Sequence, residues 1–182
     1  MTLLFLRHGE TDWNAQGLIQ GRTDIPLNET GRAQAREQAA ALRSHQPPVG
    51  IIYASPLKRA SETAQIIQQA LGVPLRYDDR LVEQCFGSLE GTRITHWMDA
   101  AELAQHGAEP FPALYERVCD FLDELDAAHA GQTVLVVAHG RVASMVQWYY
   151  HGHDNTDAAL HKNAVLRRYP KKCAGHRPPF IV

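Results

Sequence analysis

Thr2-Leu3-Leu4-Phe5-Leu6-Arg7-His8-Gly9-Glu10-Thr11 sets an unbroken apolar run directly before an arginine, a histidine and a glycine. Residues 2–6 are short, apolar and continuous, the pattern of a parallel strand buried on both faces. In an open α/β sheet, ligands bind where such strands end. Arg7 and His8 are therefore expected side by side on the floor of a cleft, one cationic and one nucleophilic. Gly9 lacks the side chain that would block backbone approach to a ligand.

The same construction recurs downstream. Thr133-Val134-Leu135-Val136-Val137-Ala138 is a second apolar strand, and it too ends in a histidine and a glycine, His139-Gly140. Ile51-Ile52-Tyr53-Ala54 precedes Ser55-Pro56-Leu57-Lys58-Arg59-Ala60, which reads as strand, turn and helix. Ser55 is the expected N-cap and Pro56 the first helical residue. That places Arg59 near a helix N-terminus, a region already suited to anions. Between these motifs lie Glu83, within Leu81-Val82-Glu83-Gln84-Cys85-Phe86-Gly87-Ser88-Leu89-Glu90-Gly91, and a long polar loop from Asp12 to Leu27 holding Asn14 and Gln20-Gly21.

The remaining chain alternates helical and strand patterns, which predicts an α/β fold. Helices are expected from Asn28 to about Ser44, from Ser55 to about Leu71 with Gly72 as C-terminal cap, over 92–106, over 111–129 and over 142–150. Short strands are expected at Leu75-Arg76-Tyr77 and at 164–169. Leu114, Val118, Phe121, Leu122 and Leu125 recur at helical spacing and form a core stripe.

Five segments together resemble the histidine phosphatase (phosphoglycerate-mutase-like) superfamily. They are Leu-Arg-His-Gly-Glu-Thr at 6–11 with Asn14, then Gln20-Gly21, Asp24, Pro26-Leu27 and Gly31. Ser55-Pro56-Leu57 follows with Arg59-Ala60 and Thr63-Ala64, then Glu83 with Phe86-Gly87 and Glu90-Gly91, then Val137-Ala138-His139-Gly140. The resemblance spans roughly residues 1–150. It implies one domain over 1–169, a three-layer α/β/α sandwich around a mostly parallel sheet, followed by an atypical C-terminal tail at 170–182.

The chemistry implied is phosphoryl transfer. Arg7 and Arg59 offer planar forks for phosphate oxygens, and His139 would hold a further oxygen. His8 needs one unprotonated ring nitrogen to attack phosphorus and form a phosphohistidine. Glu83 would protonate the leaving oxygen and then deprotonate water, a double duty that favours a carboxyl titrating near neutrality. Thr11, Asn14, Gln20, Gly21 and Gly140 are assigned to phosphate or substrate contact. Positioning and charge stabilisation carry most of such a reaction, so no metal or other cofactor is expected.

Phosphoglycerate mutases carry a longer segment between the equivalents of Glu83 and His139, with a lysine and paired arginines. Here Arg93 and Arg117 stand isolated, which favours a metal-independent phosphomonoesterase acting on a small phosphorylated metabolite. A cofactor-dependent phosphoglycerate mutase and a non-catalytic binding protein on the same fold are the alternatives. The substrate itself is left open among sugar phosphates, phosphoglycerates, nucleotides and α-ribazole phosphate.

Composition agrees. The chain has 182 residues, 45% of them hydrophobic, enough to bury one core, and a formal net charge of −2 without basic runs, which argues against nucleic acid. No run reaches membrane-spanning length and the N-terminus lacks a signal-peptide pattern. Cys85, Cys119 and Cys173 are few and widely spaced, as expected of reduced thiols in a cytoplasmic protein. Cys85 is expected to pack rather than react, and His151, His153 and His161 to lie in a polar loop rather than bind metal. Trp13, Phe86, Trp97 and Met98 either line a pocket or pack the core.

Overall fold

The computed structural model describes residues 1–93, 98–152 and 162–169. Among the described residues, five strands form one sheet: β1 (Thr2–Arg7), β2 (Val49–Ala54), β3 (Leu75–Tyr77), β4 (Thr133–Ala138) and β5 (Leu166–Tyr169), in the order β3-β2-β4-β1-β5. The first four pair in parallel, and β5 runs antiparallel along the outer edge of β1. The described helices are α1 (Asp12–Gln16), α2 (Glu29–Arg43), α3 (Lys58–Leu71), α4 (Ala100–Gln105), α5 (Phe111–Ala128) and α6 (Gly140–His151).

Strand side chains alternate between two cores, as the pleat requires. Leu4, Leu6, Ile52, Leu135 and Val137 pack with Ala39 and Leu42 of α2 and with Ala60, Ala64 and Ile67 of α3. Leu3, Phe5, Val134 and Val136 face the other way, onto Leu114, Val118, Phe121 and Leu122 of α5 and Val142, Met145 and Val146 of α6. The sheet is thus covered on both faces, which explains why β1 and β4 read as continuous apolar runs. This is the expected three-layer α/β/α arrangement around a mostly parallel sheet.

Local structure departs from expectation at several points. Ser55 is not the N-cap residue of α3: the helix starts at Lys58 behind Leu57, which provides no side-chain cap, and the Ser55 hydroxyl accepts from the Leu57 N–H at 3.3 Å and also meets a side chain of a neighbouring strand end. The loop after Thr11 begins with the single helical turn α1, closed by a capping box between Thr11 and Asn14. Among the described residues of the helix expected over 92–106, the helical ones are those of the short α4, capped by Asp99, while Arg93 bridges to Leu18. The last strand starts at Leu166 rather than at 164, and α6 starts at Gly140, directly behind His139. Trp97, His153, His161, Cys173 and the tail at 170–182 lie outside the described residues.

Gly9 serves a different neighbour from the one expected. A β-carbon there would collide with the backbone of Gly31, and one on Gly31 would collide with the backbone of Glu10. The two glycines let the first turn of α2 lie directly on the segment that follows β1. Asn28 fastens the contact, its N–H donating to the Glu10 carbonyl at 3.0 Å and its amide to the Glu10 carboxylate at 2.9 Å.

Gly31→Ala is therefore expected to destabilise the protein by about 1–3 kcal/mol in urea unfolding, through overpacking. An unobstructed helical glycine would instead gain up to about 1 kcal/mol from alanine, so a stabilised variant would contradict this packing.

Candidate active site

The C-terminal ends of three adjacent strands carry the site. Arg7 pairs with Ala138 in the β1–β4 register, and the His8 N–H continues it by donating to the Ala138 carbonyl at 2.9 Å. His8 and His139 consequently leave neighbouring strands at the same level, with ring centroids 5.2 Å apart. On the other side of β4, the Ser55 N–H donates to the Val137 carbonyl. That brings its hydroxyl to 2.8 Å from His139 Nε2.

His8 is oriented by its own backbone. Nδ1 lies 2.7 Å from the Gly9 carbonyl oxygen, which can only accept, so Nδ1 carries the proton and Nε2 carries the lone pair. The Gly9 carbonyl is fixed in turn: the Gly9 N–H donates to Thr63 Oγ1 at 3.1 Å. Asn163, just before β5, donates its amide to the carbonyls of His8 at 3.0 Å and Gly9 at 3.3 Å. Asn163 had no motif in the sequence to betray it, because its partners lie some 150 residues away.

Burial, reinforced by the charges of Arg7 and Arg59, holds the His8 imidazole well below the ordinary histidine range. The same causes, with Arg59 now the foremost charge, hold His139 there too. Both rings are therefore neutral in the unliganded protein. His139 Nδ1 is buried with no hydrogen-bond partner among the described residues.

Arg59 rises from the second residue of α3 and is almost completely buried. Its terminal nitrogens donate to the carbonyls of Thr23 at 2.9 Å and Gly21 at 2.7 Å, while Nε has no partner among the described residues. Burial lowers its pKa to about 10, against the opposing pull of Glu83, which leaves it charged at neutral pH. The loop it grips is held from outside by Glu90, whose carboxylate accepts from the N–H groups of Arg22, Thr23 and Phe86 and from the Thr23 hydroxyl. Gly21 sits at φ 52, and a β-carbon on it would run into the Glu90 carboxylate.

Glu83 is nearly buried. One carboxylate oxygen accepts from the Gln84 N–H at 3.0 Å, and the other from the Arg141 N–H in the first turn of α6 at 3.2 Å. Its carbonyl accepts from Arg117, which also pairs with Glu109 through two nitrogens and bonds the Arg80 carbonyl. Arg117, expected to stand isolated, instead ties α5 to the segment carrying Glu83.

A cavity of about 340 Å³ is lined by Arg7, His8, Asn14, Gln20, Gly21, Arg59, Glu83 and Gly140 among its polar and backbone groups, whereas His139 is wholly buried behind its wall. That volume suits a small ligand. Phe86 and Met98 contribute to its apolar wall, whereas Trp13 packs against Gly91. Asn14 keeps only its amide donors for a ligand, since its oxygen already accepts from Thr11 and Asn163. Thr11 is wholly buried and its hydroxyl serves the capping box, which places it behind the cavity wall. Cys119 lies in the core, and Cys85 is half-buried. Among the described residues no three His, Cys, Asp or Glu side chains converge as a metal site, and no helix is long and apolar enough to cross a membrane.

The histidine phosphatase superfamily (branch 1) model matches residues 3–168. An uncharacterised phosphatase of Bacillus subtilis, PhoE, is 39% identical over 136 residues, covering 74% of this chain and 69% of the relative. A metal-independent phosphoserine phosphatase of Arabidopsis thaliana is 36% identical over 158 residues, covering 77% of this chain and 64% of the relative. This chain thus spans about two thirds of each of these relatives. Among solved structures, the mycobacterial glucosyl-3-phosphoglycerate phosphatase complexed with VO3 superposes with a TM-score of 0.76 at 29% identity, covering 92% of this chain and 90% of that one.

Neutral buried histidines make stability depend on pH. Protonation is easier in the unfolded chain, so the stability owed to these rings is full above about pH 6.5 and is lost as pH falls below that value. The thermal midpoint is expected to decline from pH 7 to pH 5. A His8→Asn/His139→Gln double variant should show a shallower decline, and an unchanged slope would contradict the neutral assignment.

Proposed function

We propose, from the premise that the chain belongs to the histidine phosphatase superfamily, that it hydrolyses a small phosphorylated metabolite through a phosphohistidine on His8. The observation that carries this reading is the Nδ1–H bond from His8 to the Gly9 carbonyl at 2.7 Å. It aims the lone pair of Nε2 away from its own backbone in a ring kept neutral by burial and by two arginines. His8 also lines the cavity together with Arg7, Arg59 and Glu83.

A phosphomonoester dianion entering the cavity meets Arg7, the unpartnered Nε–H of Arg59 and the amide donors of Asn14. The dianion also raises the proton affinity of the neighbouring histidine, so His139 takes up a proton on binding and donates Nδ1–H to a phosphate oxygen. Ser55, at Nε2, holds that ring in register. Nε2 of His8 then forms a bond to phosphorus as the P–O bond to the alcohol breaks, and Glu83 supplies the proton to the departing oxygen. In the second half a water attacks phosphorus, Glu83 takes its proton, and the P–N bond breaks to release inorganic phosphate and restore His8. The guanidinium groups neutralise the transferring phosphoryl group, the part a metal plays in other phosphatases. Cys85 and Cys119, few and widely spaced, suit a reducing, cytoplasmic setting.

A phosphatase named for phosphoserine and another named for glucosyl-3-phosphoglycerate stand among the similar proteins, which supports the reaction class. The latter protein's complex with VO3 supports a cavity built for a phosphate-like oxyanion.

p-Nitrophenyl phosphate hydrolysis in EDTA should persist in the wild type and fall by at least about 10³-fold in His8→Ala, a loss on the scale of a removed nucleophile. Rapid acid-free quenching of Glu83→Gln with substrate should trap a phosphoryl group on His8. Abolition by EDTA, or full activity in His8→Ala, would sink the reading. The pH profile of kcat/KM supplies a separate check. Protonating His8 removes its lone pair, and its lowered pKa displaces the acid limb to below pH 6.5, so activity should hold as pH falls from 7 to 6.

A further inference from the structure

Asn163 and Ala164 stand just before β5, on the side of β1 away from β4. Between them they hold successive carbonyls where β1 ends. The Ala164 N–H donates to the Arg7 carbonyl at 3.1 Å, and the Asn163 amide nitrogen lies 3.0 Å from the His8 carbonyl oxygen and 3.3 Å from that of Gly9. The His8 N–H is engaged by β4, and the Gly9 N–H by Thr63 of α3. From the Arg7 carbonyl to the Gly9 carbonyl, every backbone donor and acceptor thus has a partner.

Ala164 shows that this corner is set by its surroundings. Among the described residues it is the one non-glycine at positive φ, 51°, and it is buried. An alanine in the left-handed region persists only where the contacts around it over-determine its conformation. Here those contacts converge on the backbone of His8.

The consequence lies in the tautomer of His8. Nδ1 donates to the Gly9 carbonyl oxygen at 2.7 Å, and that bond decides that the lone pair sits on Nε2. Glycine has the freest backbone of any residue, so a carbonyl on Gly9 keeps its aim only if something outside holds it. Asn163 is the one described residue besides His8 that bonds it. The third acceptor near the Asn163 amide is the side-chain oxygen of Asn14 at 3.3 Å, which the Thr11 N–H and hydroxyl also hold. Asn14 therefore keeps its orientation without Asn163, whereas the Gly9 carbonyl does not. Asn163 itself stays behind the wall of the cavity.

We propose that Asn163 is a positioning residue for the reaction at His8: its amide pins the His8 and Gly9 carbonyls, so that the ring keeps Nδ1 protonated and turns Nε2 to the cavity. This rests on the phosphohistidine reading above and adds to it a residue 155 positions from the nucleophile.

Asn163→Ala tests it. With p-nitrophenyl phosphate, kcat should fall by roughly 10- to 100-fold, the scale of a lost supporting contact. KM should stay within about threefold, because Arg7, Arg59 and Asn14 remain in place. Vanadate accepts a nucleophile as phosphorus does in the transition state, so its inhibition constant should rise in step with the loss of kcat. Inorganic phosphate needs no such bond, and its inhibition constant should hold. Side-chain 15N NMR should show His8 protonated at Nδ1 in the wild type and as a mixture of tautomers in the variant. Asn163→Ser, which leaves one shorter donor in place of two, should fall between the two proteins, and it serves alone if the alanine variant fails to fold.

Wild-type kcat and vanadate inhibition in Asn163→Ala would overturn the proposal. A fall in kcat with vanadate inhibition and the His8 spectrum unchanged would overturn it too, since that marks a smaller folded fraction. Equal weakening of vanadate and phosphate would do the same and assign Asn163 to phosphate binding. The spectra separate the levels of failure. A wild type inert to p-nitrophenyl phosphate counts against the phosphatase reading, whereas an unchanged His8 tautomer in the variant sinks this inference whether or not the protein turns over substrate.

Discussion

The register of β1 on β4 is the constraint from which the site follows. Arg7 pairs with Ala138 and the ladder continues through the His8 N–H, so the two histidines emerge from adjacent strands with their rings in contact. A slip of one residue would turn every side chain of β1 to the opposite face. Leu3 and Phe5 would leave the α5–α6 core, Leu4 and Leu6 would leave the α2–α3 core, and His8 would no longer meet His139. Burial of the strand on both faces thus fixes the position of His8, and packing energy becomes positional accuracy at the strand ends.

Placing two histidines and several arginines in one half-enclosed cavity has an electrostatic consequence. Desolvation alone disfavours the imidazolium, and the nearby guanidinium groups disfavour it further. The site therefore rests with its histidines neutral and its arginines charged, a state that favours an anion and leaves Nε2 of His8 unprotonated. On the reading proposed above, one arrangement serves as nucleophile in the empty site and as hydrogen-bond donor in the filled one.

Arg59 shows how such a site is held rigid. Its terminal nitrogens bond the carbonyls of Gly21 and Thr23, and Glu90 braces the same loop through three donors, from Arg22 and Thr23. The loop from 20 to 24 is clamped between an arginine within and a carboxylate without, and Gly21 alone has room for both. Arg117 does the equivalent for Glu83 by holding its carbonyl. Glu90 and Arg117, outside the cavity, thus fix groups that line it.

Much of this was legible in the chain itself. Apolar runs ending in His8 and His139 announced parallel strands with functional ends, and the order of motifs implied the three-layer fold. Where local sequence rules failed, a distant partner had prevailed. Ser55 reads as a helix cap, yet its hydroxyl also meets His139, 84 residues away. Gly9 reads as an opening for ligand, yet it makes room for Gly31. Arg117 reads as isolated, yet it meets Glu109 and Glu83, and Asn163 and Arg141 carry no motif at all. Periodicity and residue type are properties of neighbours along the chain, so the sequence by itself determined the strands, their chemical termini and the family. Tautomer, charge state and the shape of the cavity depend on groups far apart in the chain, and those only the tertiary structure decided.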